Sequence, residues 1–148
     1  EMIEASAMLR EAEDIAQLQP PERLQESLLQ VFTPEFLQGN SQQLQAAIVQ
    51  GLQHLPPIIG VKAQTAAILA HDTIDRLPRI AAPTLVMTGK DDTLVDARNS
   101  SLLAERIPNA ELRTFDGARH GFNIECAEPV NEALLAFLAK HAAVAAAV

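Results

Sequence analysis

The chain has 148 residues, with 11 Lys and Arg against 19 Asp and Glu, a formal net charge of −8. That balance argues against nucleic acid, which needs clustered cations to replace phosphate counterions, and against docking on anionic membranes. One cysteine, Cys126, leaves no internal disulfide to form, and no run approaches the ~20 apolar residues of a membrane span.

At this length one domain is expected, and 48 % hydrophobic residues supply a core for it. The first residues, Glu1-Met2-Ile3-Glu4-Ala5, carry no basic n-region and no long apolar run. No signal peptide is therefore expected, and the location reads as cytoplasmic. The composition shifts along the chain. All eleven glutamines lie between Gln17 and Gln64. Residues 1–72 carry three basic and nine acidic side chains, and residues 73–148 carry eight and ten. These two segments, 1–72 and 73–148, read as two structural layers.

The first segment reads as helices. Ile3–Leu18 places Met8, Ala12 and Ile15 on one side. Pro20-Pro21 ends it, and Pro21 suits the first turn of a helix bearing Leu24, Leu28, Val31 and Phe32. Thr33-Pro34-Glu35 is a helix start, with Thr33 as N-cap. Leu44, Ile48, Leu52 and Leu55 recur at helical spacing until Pro56-Pro57. Gly60–His71 completes the set.

The period then changes. Thr84–Thr88 is a short β-prone run whose continuous apolar character fits a strand covered on both faces. A helix over Asp96–Arg106 follows, with Leu102, Leu103 and Ile107 inward. Ala110–Phe115 is a second strand. A last helix over Pro129–Lys140 carries Val130, Leu134, Leu135, Phe137 and Leu138 as its apolar side, and the Ala-rich end frays. Strand–helix–strand–helix implies parallel pairing through a right-handed crossover.

In an open parallel sheet, functional groups gather beyond the carboxyl ends of the strands. Two loops leave such ends here: Gly89-Lys90-Asp91-Asp92-Thr93 and Asp116-Gly117-Ala118-Arg119-His120-Gly121. Parallel neighbours would bring a carboxylate to an imidazole. A carboxylate on one ring N–H fixes the tautomer and stabilises the imidazolium formed at the other nitrogen.

The residues from Leu77-Pro78-Arg79 through Pro83-Thr84-Leu85-Val86-Met87-Thr88-Gly89-Lys90-Asp91-Asp92 resemble the seventh strand and acid loop of the α/β-hydrolases. Ala104-Glu105-Arg106-Ile107-Pro108-Asn109-Ala110-Glu111-Leu112 resembles the family's next helix and eighth strand. Gly117-Ala118-Arg119-His120 resembles the histidine loop, and Glu128-Pro129 through Phe137-Leu138 the closing helix. The resemblance covers about half the chain. It implies an α/β fold, a partial α/β-hydrolase with a helical cap region (1–72) before the strand–helix–strand–helix unit (73–148). It also implies Asp92 as catalytic acid and His120 as catalytic base, with Asp91 the rival acid. The family commonly has a small residue before the histidine, where this chain has Arg119. That cation could screen the histidine, bind an acidic substrate group or point to solvent, and solvent is the favoured reading.

The family's nucleophile sits on a Gly-x-Ser-x-Gly elbow. Ser6, Ser27, Ser41, Ser100 and Ser101 all lack that context. Cys126 has no elbow glycines and reads as structural. His54, His71 and His141 read as surface or helix-end residues. His71-Asp72 with Asp75 lacks an established metal-ligand spacing, so no metal is expected. Glu11, Glu13 and Asp14 read as a solvated helix face.

The expectation is a C-terminal fragment of a serine α/β-hydrolase acting on an ester, lactone or related acyl substrate. It would be inactive alone and need no cofactor. The alternative is a non-catalytic binding or assembly module that kept half a hydrolase fold. An apolar strand with an open edge is a template for pairing. A homodimer is therefore expected, its two Thr84–Thr88 strands meeting antiparallel across a twofold axis.

Overall fold

The computed structural model describes residues 20–40, 42, 44 and 58–145. The helix expected over Ile3–Leu18, most of the one bearing Leu44 to Leu55, and Pro56-Pro57 lie outside the described residues.

Helix α1 spans Pro20–Val31. Its two prolines stand at the N-terminal end, where a missing N–H leaves no intrahelical bond unmade. The chain then turns at Phe32. Thr33, at φ −69 and ψ 152, caps helix α2 (Pro34–Gly39): its Oγ1 accepts from Phe36 N at 3.3 Å. The rings of Phe32 and Phe36 stack at 5.3 Å across this cap. Helix α3 spans Ile58–Ala70, two residues earlier at its start than expected. Its Ile59 and Ile68 are exposed.

A 3-10 helix, Ile74–Arg79, was not anticipated. Asp72 Oδ1 accepts from Ile74 N at 3.2 Å, an Asx turn that starts it. The tighter 3-10 winding also tolerates Pro78 inside so short an element.

Strand β1 is Thr84–Gly89 and strand β2 is Ala110–Phe115, both as read from the sequence to within a residue. They pair in parallel, Thr84 opposite Ala110 and Gly89 opposite Phe115. Between them runs helix α4, Ala97–Arg106. Asp96 is its N-cap and accepts from Arg98 N at 2.8 Å. This helix packs on both strands, and Ile107 at its end is buried. Below the strands, Thr84 N donates to Asn109 O at 3.1 Å, and Asn109 Nδ2 donates to Ala81 O at 3.1 Å.

Strand β1 is covered unequally on its two faces. Val86 and Thr88 are buried, whereas Leu85 and Met87, which alternate with them, are half-buried. Period-2 geometry sends the two sets to opposite faces.

After β2 a short helix α5, Phe122–Glu125, precedes the long helix α6, Ala127–Ala145. The apolar side expected of this last helix is only partly used. Val130 is buried, but Leu135 and Leu138 are exposed at 65 % and 53 %. Among the described residues, the buried apolar side chains are Phe32, Val86, Ile107, Ala118 and Val130. Phe32 comes from the α1–α2 corner and Ala118 from the loop after β2, so part of the core lies beside that loop. Among the described residues, no helix is long and apolar enough to cross a membrane.

Candidate active site

The two loops leave the same end of the two-stranded sheet. Backbone bonds join the two loops past the strand ends: Lys90 N donates to Phe115 O at 2.9 Å, and Asp91 N to Ala118 O at 3.0 Å. A Cβ on Gly89 would lie 2.3 Å from Ala118 O and 2.4 Å from Arg119 O. Those are backbone atoms, so only glycine lets the loops come this close. Gly117, at φ 70, makes the left-handed turn that sends the second loop back over the sheet.

This approach brings together Asp92 and His120, 28 positions apart in the chain. His120 Nδ1 stands 2.9 Å from Asp92 Oδ2. Asp92 Oδ1 accepts from Leu94 N at 2.9 Å and from Val95 N at 2.8 Å. Both carboxylate oxygens are thus occupied, and the Asp92 side chain is 5 % exposed against 41 % for His120. A buried, fully bonded carboxylate has a fixed orientation. It can hold one ring nitrogen while the more exposed imidazole offers the other.

Of the two adjacent acids, the structure puts only Asp92 on the imidazole. Asp91 is exposed. Lys90 Nζ pairs with Asp116 Oδ1 at 2.5 Å, tying the two loops from outside.

Arg119 does not point to solvent, which corrects the favoured reading. Its Nη1 donates to Leu29 O in α1, and its backbone N donates to Glu125 Oε2 at 3.0 Å. The other oxygen of Glu125 accepts from Thr33 N. Sequence reading passed over Glu125. Its only sequence signal is its place five residues after His120, at the end of a helix of one turn. Gly121 was likewise read only as the loop's last residue. A Cβ there would lie 2.4 Å from Phe32 Cε1 and 2.9 Å from Val31 O. The rings of Phe115 and Phe122 stack at 5.5 Å and close the base of the same loop.

The remaining candidates lie apart. Cys126 is half-buried. Burial first, and the charge of Glu125 second, push its thiol above the ordinary value, so it stays protonated and a poor nucleophile. His71 is exposed, with Nε2 3.4 Å from Thr73 Oγ1. His141 packs on the Phe137 ring at 4.6 Å and faces Glu111 Oε1 at 3.5 Å. His54, Ser6 and Ser41 lie outside the described residues. Among the described residues, no three His, Cys, Asp or Glu side chains stand where they could hold a metal ion. A cavity of about 230 Å³ lies between His71–Leu77 and α4, and neither Asp92 nor His120 lines it.

The family model described as serine aminopeptidase, S33, matches residues 2–127. The RutD protein of Stutzerimonas stutzeri, named as a carbamate hydrolase, is 33 % identical over 121 residues, covering 82 % of this chain and 46 % of RutD. The chain spans about half the length of the curated relatives it matches. A solved structure from Mycobacterium tuberculosis aligns over 93 % of this chain and 53 % of its own, with TM-score 0.73 and 24 % identity. An α/β-hydrolase enzyme from a Medee basin deep-sea metagenome library aligns over 76 % and 42 %, with TM-score 0.63 and 21 % identity. The two structures share this chain's fold.

Proposed function

This chain belongs to the α/β-hydrolase family described as serine aminopeptidase, S33, and from that membership we propose that it carries the acid and base of a serine hydrolase. Asp92 is the acid and His120 the base. The observation that carries this reading is the 2.9 Å bond between His120 Nδ1 and Asp92 Oδ2 on loops leaving adjacent parallel strands.

The nucleophile comes from a segment outside these 148 residues, in the part of the relatives that this chain does not span. A serine hydroxyl there attacks the substrate carbonyl, and its proton passes to His120 Nε2. The imidazolium, stabilised by Asp92, then protonates the leaving group, and the acyl–serine ester remains. Water attacks that ester next. His120 takes its proton and returns one to the serine, which leaves as the free hydroxyl. Asp92 stays ionised throughout and holds Nδ1 as the protonated nitrogen.

The substrate class is an ester, lactone or related acyl compound. The name of the RutD relative supports counting carbamates among them. Residues 1–72 act as a cap that shapes the pocket. On this reading the chain alone is inactive, because its sequence holds no Gly-x-Ser-x-Gly elbow to present a nucleophile.

Two assays test this. In the protein that joins this chain to its Gly-x-Ser-x-Gly segment, Asp92→Ala and His120→Ala should each lower turnover by about 10⁴-fold. Near-wild-type turnover in both would overturn the assignment. The 148-residue chain should not hydrolyse p-nitrophenyl esters or carbamates. Turnover abolished by His120→Ala would refute the claim that it needs an added nucleophile.

A further inference from the structure

We propose that Glu125 and Arg119 are positioning residues: they grip the corner between α1 and α2 and thereby hold the His120 backbone where its imidazole meets Asp92. The proposal rests on the reading of Asp92 and His120 given above and adds the residues that aim the base.

The corner and the histidine loop complete each other's hydrogen bonds. A helix leaves its last carbonyls without intrahelical partners, and they form the negative end of its dipole. Helix α1 has no basic residue in its last turn. Arg119 supplies that cation from 90 positions away, donating to Leu29 O. Gly121 N donates to Val31 O at 2.7 Å. Glu125 then spans the junction, accepting from Thr33 N on the corner and from Arg119 N on the loop. The buried Phe32 ring fills the space left by the missing Cβ of Gly121.

His120 lies between these two anchored neighbours. Arg119 is held by its backbone and its guanidinium, and Gly121 by its backbone. The imidazole itself is 41 % exposed and bonds Asp92. A partly exposed ring has little packing to orient it, so its aim is set by the backbone that carries it. Both oxygens of Glu125 accept from backbone N–H groups. An amide in its place turns an NH₂ toward one of those donors and loses that bond.

The test is proton NMR of the 148-residue chain with ¹⁵N-labelled histidine. An imidazole N–H bonded to a carboxylate resonates far downfield and exchanges slowly with water. His120→Gln identifies the His120 signal. Glu125→Gln is expected to abolish it and Arg119→Met to broaden it, while Glu111→Gln, which removes the ion pairs at the start of β2, leaves it sharp. An unchanged signal in both Glu125→Gln and Arg119→Met overturns the clamp and leaves the Asp92–His120 pair standing. Equal loss in Glu111→Gln overturns it too, since the effect is then general destabilisation. A wild-type chain without the signal removes the pair and the clamp together. Should Glu125→Gln fail to fold, Arg119→Met decides alone, because it keeps Glu125 and both of its backbone bonds.

Discussion

Gly89 governs how closely the two loops approach. Any side chain there meets the carbonyls of Ala118 and Arg119, which are backbone and cannot rotate away. Gly89→Ala should therefore cost about 1–3 kcal/mol of stability, the usual range for forcing atoms into filled space. A urea titration would measure it, and an unchanged midpoint would contradict the close approach. Cys126 offers a second check at the same scale. Its thiol is pushed up by burial and by Glu125, so its reaction with iodoacetamide at neutral pH should be slower than that of free cysteine. A rate equal to that of free cysteine would show the thiol to be neither buried nor perturbed. Asp92 carries no such sequence label. Beside Asp91 it is one of two identical side chains, and what distinguishes it is burial with bonds to Leu94 N, Val95 N and the His120 ring.

At the scale of elements, β2 and α6 are joined at Glu111. Its carboxyl is held below the ordinary carboxylate range, chiefly by Lys140, with His141 and Arg113 adding to it. Lys140 Nζ stands 2.6 Å from Glu111 Oε1. A depressed folded-state pKa gives stability that is present above the unfolded carboxylate range and lost as pH falls through the lowered value. The difference in Tm between the native chain and Glu111→Gln should therefore be open at neutral pH and close in acid. A gap independent of pH would argue against an ionic contribution. The elements themselves were legible where local chemistry decides them. Thr33-Pro34 stops one helix and starts another because the side chain accepts an orphan N–H. The 3-10 helix at Ile74–Arg79 was not legible, since Pro78 argues against helix and only Asp72 supports the turn.

At the scale of the whole molecule, β1 is bonded to β2 on one side, in a sheet of two strands among the described residues. The 148-residue chain, expressed by itself, is expected to cover the second edge of β1 with a copy of itself. Sedimentation equilibrium should give a dimer mass, and a monomer at high concentration would sink this expectation. The exposed leucines of α6 belong to the same scale. Leu135 and Leu138 satisfy the helical spacing of a buried stripe and yet face outward.

Apart from the one-turn helix α5, the order of strands and helices from Thr84 onward, the parallel pairing and the pair of loops that carry Asp92 and His120 were written in the sequence. Each follows from local period, from turn residues and from the connection a parallel pair requires. Where Arg119 goes and what Glu125 holds were decided only by the tertiary structure. These depend on backbone groups brought from 90 and 92 positions away. A carbonyl or an N–H is the same at every residue, so no side-chain pattern in the sequence could mark which ones would meet.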